Sequence, residues 1–232
     1  MRKHVAAITA LALLTPVPVA NAEDLASRFT LSVMPDTQFY SRYGTEAAGD
    51  IFGDRYGTNP YDAQTEFLAE NHKKLGTQFV THLGDVVDEP EDRASWDIAD
   101  RAMKTLEDAG VNYSVLPGNH DLTMFDGKSA FTEYFPEERA KKNSTYMGRT
   151  ASTEIHNGGD GYAFPGQSVD SEYHIFEAEG QKYLNLALGW RADDKALAWA
   201  QGIIDKHPNL PVIVTTHEAL NIDGEGNVFY SD

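Results

Sequence analysis

Gly84-Asp85-Val86-Val87-Asp88 and Gly118-Asn119-His120-Asp121 decide how this chain is read. Each follows a short β-rich run, over 78–83 and 111–116, and the second run is stopped by Pro117-Gly118. Two further polar clusters hold the same position. Asp36-Thr37-Gln38 follows the buried-strand pattern of 29–34, ended by Pro35, and Thr216-His217-Glu218 follows the β-branched run 211–215. In open α/β sheets the ligand crevice lies at the carboxyl ends of the strands. Four clusters at four strand ends therefore point to one shared site. Alone, a Gly-Asp pair suits a turn, and a single His suits ordinary half-buried packing. Gly-Asn-His-Asp is more specific. At average residue frequencies it arises in about one chain per thousand of this length, and a turn does not need His120 between Asn119 and Asp121.

Between these clusters the pattern predicts helices. One covers 62–75, with Asp62 as N-cap and Gly76 just past its end. A second covers 95–109, where Ile98, Ala102 and Leu106 share a stripe and Gly110 closes it. A third covers 193–206. Strands over 173–177 and 182–188, joined by Ala178-Glu179-Gly180-Gln181, read as a hairpin. Strands alternating with helices give an α/β domain, and the hairpin makes its sheet mixed. Residues 41–60 read as a surface loop, and 125–161 as an irregular excursion with a short helix near Glu137. Trp96 and Trp199 fit helix packing, and His82 is expected to be packed. His72, His156, His174 and His207 are expected at the surface. Tyr40, Tyr43 and Tyr56, in the loop after the first cluster, read either as the lining of a substrate entrance or as ordinary exposed loop tyrosines. Residues 223–227 read as a loop rather than a calcium site.

Composition narrows the function. Hydrophobic residues make up 41% of the chain and aromatic residues 11%, enough for a sizeable core. A formal net charge of -17 repels polyanions, so duplex nucleic acid is excluded as an expected partner. With no cysteine, disulfides, thiolate metal sites and cysteine nucleophiles are excluded. The start reads as a secretory signal peptide over 1–22. Basic Met1-Arg2-Lys3-His4 is followed by an apolar run over 5–14, then Ala20-Asn21-Ala22 as a cleavage site. The apolar run is too short to span a bilayer. The expectation is export to the periplasm or beyond, no stable membrane anchor, and one domain over 23–232.

The ligand chemistry is coherent. Carboxylates Asp36 and Asp85, the amide of Asn119 and the imidazole of His217 form a hard O/N set. It suits Mn, Fe, Zn or Ca. Two cations bridged by one carboxylate, about 3.5–4 Å apart, clamp a phosphoryl oxygen and activate water. A nearby His or Asp then protonates the leaving oxygen.

The ordered series resembles the calcineurin-like metallophosphoesterases, whose motifs run Asp-x-His, Gly-Asp-x-x-Asp, Gly-Asn-His-Asp or -Glu, an isolated His, then Gly-His-x-His. The likeness extends from about Leu31 to His217, with full matches at 84–88 and 118–121. It implies an α/β four-layer sandwich of two mixed β-sheets flanked by helices, with two divalent metal ions at the sheet ends. Carried over by position, Asp36 resembles a ligand of the first metal and Asp85 the bridging carboxylate. Asn119 and His217 resemble ligands of the second metal. His120 resembles the catalytic histidine, and Asp88 the acid that orients it. The pattern departs in two places. Gln38 stands where the commoner motif has His, leaving its amide oxygen as a weaker ligand. No Gly-His-x-His follows His217, so the domain is expected to be incomplete at its C-terminus. The implied activity is metal-dependent hydrolysis of a phosphomonoester or phosphodiester by a metal-activated water. The alternative is a catalytically impaired exported binding module that keeps the fold.

Overall fold

Alternation along the strands sets the layering. Strand β1 (Thr30–Met34) pairs in parallel with β2 (Thr77–His82), and β2 pairs in parallel with β3 (Tyr113–Val115). The computed structural model describes residues 28–122, 129–152, 169–222 and 228–230; the expected signal peptide, the 223–227 loop and His156 lie outside them. Central strand β2 is buried on both faces, as strands of a covered parallel sheet are. Val80 joins Met34, Trp96, Ala99 and Leu106 in the core on one side. On the other side Phe79 stacks on Phe176 at 5.2 Å, and Thr81 faces Thr215 at 3.2 Å.

Helices cover the first side. Chain order there is α1 (Gln38–Tyr43), α2 (Ile51–Tyr56), α3 (Pro60–Leu75) and α4 (Arg93–Asp108). Helix α3 starts earlier than expected. Asn59 is its cap, accepting the Tyr61 N–H at 2.8 Å, and Pro60 fills the first position, where no N–H is needed. Asp62 lies inside the first turn and pairs with Arg101 on α4 at 2.7 Å. Helix α4 likewise starts two residues earlier than expected, capped by Asp92, which accepts the Ala94 N–H at 3.1 Å and the Ser95 hydroxyl at 2.6 Å. After β3 come the short helices α5 (Phe131–Tyr134) and α6 (Glu137–Ala140), the latter at the expected place.

The second sheet runs β4 (Tyr146–Ser152), β5 (Val169–Ala178), β6 (Gln181–Leu188) and β7 (Val212–Thr216). Its first two pairings are antiparallel and the last is parallel, so this sheet is mixed while the three-stranded sheet is parallel throughout. Glu179 and Gly180 carry positive φ in the β5–β6 turn, as tight hairpins require. Leu184 and Leu186 pack outward against Ala200 and Ile203 of α7 (Asp194–Lys206), which Asp193 caps. The layers are thus α3 and α4, the first sheet, the second sheet and α7. A small antiparallel pair, β8 (Leu220–Ile222) and β9 (Val228–Tyr230), follows β7.

Three expectations are corrected. Within 41–60 the chain forms part of α1 and all of α2, not a plain loop. Strand β4 lies in the stretch read as irregular, and its Arg149 hides the usual alternation. The Arg149 side chain is enclosed, pairing with Glu172 at 2.7 Å and Asp170 at 3.1 Å. His174 is fully buried rather than superficial, lying 3.2 Å from Glu172 and 3.0 Å from the Thr145 hydroxyl. Glu172 also accepts the Val115 N–H at 3.1 Å, so this network joins the two sheets. Removing one member of such a buried pair costs about 3–5 kcal/mol.

Candidate metal and phosphoester site

The parallel register brings the carboxyl ends of β1, β2 and β3 to one edge, and β7 ends beside them. Two glycines let the loops after β2 and β3 touch. A Cβ on Gly84 would lie 2.5 Å from the Gly118 nitrogen, and one on Gly118 would lie 2.2 Å from Asp85 Oδ1. Gly84 has φ +90 and Asp85 has φ 50, a left-handed conformation that costs a non-glycine residue about 1–3 kcal/mol. Asp121 secures the contact. Its buried carboxylate accepts the N–H groups of Gly118, Val86 and Val87 at 2.8, 3.1 and 3.0 Å. Burial pushes this carboxyl up to about 7, and the three donors oppose that shift.

His82 and Thr37 tie the first cluster to the second. The Gly84 N–H donates to His82 Nδ1 at 3.2 Å, which leaves the proton on Nε2, facing the Thr37 hydroxyl at 3.0 Å. Thr37 in turn donates to the Val86 carbonyl at 3.2 Å, and its own N–H meets the Asp85 carbonyl at 3.0 Å. Full burial, with His217 nearby, drives the His82 imidazole down to about 3, so it is neutral.

Around Asp85 the acceptors converge. His217 Nδ1 donates to the Leu83 carbonyl at 2.9 Å, leaving the Nε2 lone pair 2.9 Å from Asn119 Oδ1 and 3.3 Å from Asp85 Oδ1. With the proton on Nδ1 alone these three lone-pair atoms repel one another, and either a second ring proton on Nε2 or a cation among them relieves the contact. Asp36, Asp85 and His217 each present a ligand atom within 4.8 Å of the others, with Asp36 exposed on the solvent side. Gln38 Oε1 is buried with no hydrogen-bond partner, which for a buried acceptor calls for an explanation such as an ion. Burial raises the Asp85 carboxyl, while His217 and the His120 N–H act against that rise. The hard donor set of Asp36, Asp85, Asn119 and His217 fits a divalent cation.

His120 sits at the rim. Its N–H donates to Asp85 Oδ1 at 2.9 Å. Its Nδ1 faces the Asp88 carbonyl at 2.9 Å and Asp88 Oδ1 at 3.2 Å, which leaves Nε2 for a ligand. Arg42 of α1 grips the other Asp88 oxygen and reaches Glu89 at 3.3 Å. These contacts bring six of the seven expected site residues together, and Gln38 opens α1 beside Thr37. Missed in the sequence were Arg42, which lies one helical turn after Gln38, and Asp121, whose backbone grip was hidden behind its neighbours. Trp190 was also missed. Its N–H meets the Pro117 carbonyl at 2.9 Å and its indole donates to Glu218 at 2.6 Å.

The sequence model of the calcineurin-like phosphoesterases matches residues 34–232. The chain belongs to that family. It is also 33% identical, over 197 residues, to the uncharacterized protein YvnB of Bacillus subtilis (strain 168). That alignment covers 84% of this chain but spans only 13% of the length of YvnB. Calcineurin-like phosphoesterases are metal-dependent hydrolases of phosphoester bonds, and the Asp36, Asp85 and His217 group is where this member offers carboxylates and imidazole together. Among the described residues no helix is long and apolar enough to cross a membrane. A cavity of about 770 Å³ lined by Gln78, Asn112, Lys182 and His207 opens at the other end of the strands and holds none of the four clusters.

Proposed function

We propose that this chain hydrolyses a phosphomonoester or phosphodiester at a centre for two divalent cations, held by Asp36, Gln38, Asp85, Asn119 and His217. The observation that carries the reading is the His120–Asp88 pair, set on the residue next to Asn119 and hydrogen-bonded to Asp85. When bound, the cations supply charge neutralisation at the phosphoryl group and acidify water. His120 Nε2 gives a proton to the leaving oxygen. Asp88 holds the ring with its other proton on Nδ1 and stabilises the imidazolium. Arg42 fixes the Asp88 carboxylate by its second oxygen. A binding module of the same fold needs no imidazole oriented in this way.

Hydrolysis of an aryl phosphate and an aryl phosphodiester with and without Mn²⁺ tests the activity, and no metal-dependent turnover on either would remove it. His120→Ala should lose about 10²–10⁴ in turnover on an alkyl ester and less on an aryl ester, whose leaving group needs less protonation. Equal losses on both would take the proton donor role from His120. We further propose export, with residues 1–22 removed as the signal; N-terminal sequencing of exported protein should begin at Glu23, and a start at Met1 would contradict it.

A further inference from the structure

Helix α1 begins at the candidate site, and its residues divide by face. Arg42 turns toward the motif loop that carries Asp88. Ser41 donates to the Val86 carbonyl at 2.8 Å, and Tyr40 packs on the core. Phe39 and Tyr43 form the adjoining stripe. Their rings stack at 5.9 Å, and the residues are 50% and 36% exposed. Helix α2 repeats the arrangement with Phe52 and Tyr56, stacked at 6.4 Å, with Tyr56 59% exposed. Phe52 joins the two pairs, meeting Tyr43 edge-on at 6.5 Å and Tyr40 at 5.9 Å. Guanidinium groups lie over the ladder, Arg42 at 5.8 Å from the Tyr43 ring and Arg55 at 5.2 Å from Tyr56.

Single exposed aromatic residues need no explanation, but a contiguous set of rings beside a site does. Each ring is held by another, so the exposed set needs little further ordering. We infer that Phe39 and Tyr43, supported by Phe52 and Tyr56, form a stacking subsite for the base of a nucleotide, so that nucleotide phosphoesters are the substrate class. The inference rests on the phosphoesterase reading for the position of the phosphate. Phe39 follows Asp36 by three residues, so its backbone is within about 10 Å of that ligand. That span matches the reach from a nucleotide phosphate to its base. Every base has a π-face for aromatic stacking, and arginine adds a cation–π contact. The Arg55 guanidinium also offsets repulsion of an anion by a chain of net charge -17. A glycerophosphodiester or a bare sugar phosphate has no aromatic ring to place here.

The test compares binding of non-hydrolysable phosphonate analogues of adenosine monophosphate and of ribose 5-phosphate, by equilibrium dialysis with Mn²⁺. The wild-type chain should favour the adenosine compound by about 5–100-fold, the worth of one stacked base. Phe39→Leu keeps apolar bulk but loses the π-face. It should erase most of that advantage while leaving the ribose compound within about twofold, and Phe39→Tyr should restore the preference. No adenosine preference in the wild type, or equal weakening of both compounds in Phe39→Leu, overturns the subsite. So does a Phe39→Leu variant that keeps the preference. Chromogenic ester hydrolysis run alongside separates the two readings. An adenosine preference that depends on Phe39 without turnover upholds the subsite and removes the enzyme activity, whereas turnover without such a preference does the reverse.

Discussion

Mild acid should loosen the site through His82. The imidazole is fully buried, accepts the Gly84 N–H, donates to Thr37, and is driven down to about 3 from an ordinary 6.5. A depressed imidazole is neutral when folded and protonates readily when unfolded, so the unfolded chain binds the extra proton. Stability is then fully present above about 6.5 and falls as pH drops toward the folded value. Between pH 7.5 and 5.0 the unfolded state gains about 2 kcal/mol from this one residue. For a chain of this size that lowers the thermal midpoint by about 4–8 °C. The comparison is with His82→Gln, both proteins freed of metal by chelation so that metal release does not enter. At pH 7.5 the variant should be less stable by about 1–3 kcal/mol, because the Gly84 N–H loses its acceptor. Its further loss on going to pH 5.0 should be smaller than that of the wild type by about 2 kcal/mol. Equal pH dependence in the two proteins would refute the neutral strut and leave acid sensitivity to other groups.

Two substitutions probe the loop contact itself. Gly118→Ala puts a methyl group 2.2 Å from Asp85 Oδ1 and 2.4 Å from its nitrogen, so the loops must part. It should cost about 1–3 kcal/mol and weaken Mn²⁺ binding together, and an unchanged melting curve would show that the loops separate freely. Asp85→Asn should lose bound metal, measured by elemental analysis, yet leave the metal-free protein as stable or more so, because a buried carboxyl raised by desolvation is replaced by a neutral group. Metal content equal to the wild type would contradict the assignment of Asp85 as a ligand.

The strand-end clusters were legible because chemistry and punctuation coincide there. Pro35, Gly84 and Pro117-Gly118 end strands, and the residues after them are polar in a way that a core would not tolerate. The two-sheet architecture was legible only through the family likeness, since strand pairing is non-local. Helices α1 and α2 were hidden by their length. Six residues give less than two turns, and glycines at 44, 49, 53 and 57 mimic a loop. Their signal was the i, i+4 spacing of aromatic residues, Phe39 with Tyr43 and Phe52 with Tyr56, which a helix alone makes adjacent. Strand β4 and buried His174 were misread for a shared reason. Charged and polar residues that satisfy one another, Arg149 with Glu172 and Glu172 with His174, leave no apolar alternation to detect. Arg42 and Asp121 act through partners far along the chain, at Asp88 and at the Val86 and Val87 amides, which no local pattern specifies.

The placement of His217 follows from how the sheets register against each other. Thr81 of β2 meets Thr215 of β7 across the interface at 3.2 Å, and Ser114 of β3 reaches both Thr81 at 3.1 Å and Asn185 of β6 at 3.3 Å. Two residues beyond that contact on each strand lie Leu83 and His217, and the Leu83 carbonyl accepts a hydrogen bond from His217 Nδ1–H. The inter-sheet contact therefore sets which imidazole nitrogen is free and aims it at Asp85 and Asn119. The local costs of this arrangement, a left-handed Asp85, a buried Asp121 carboxyl and a neutral His82, are borne by backbone amides and by the sandwich rather than by any ligand. The donors are thus preorganised, and a cation or phosphoester meets them without further ordering of the loops.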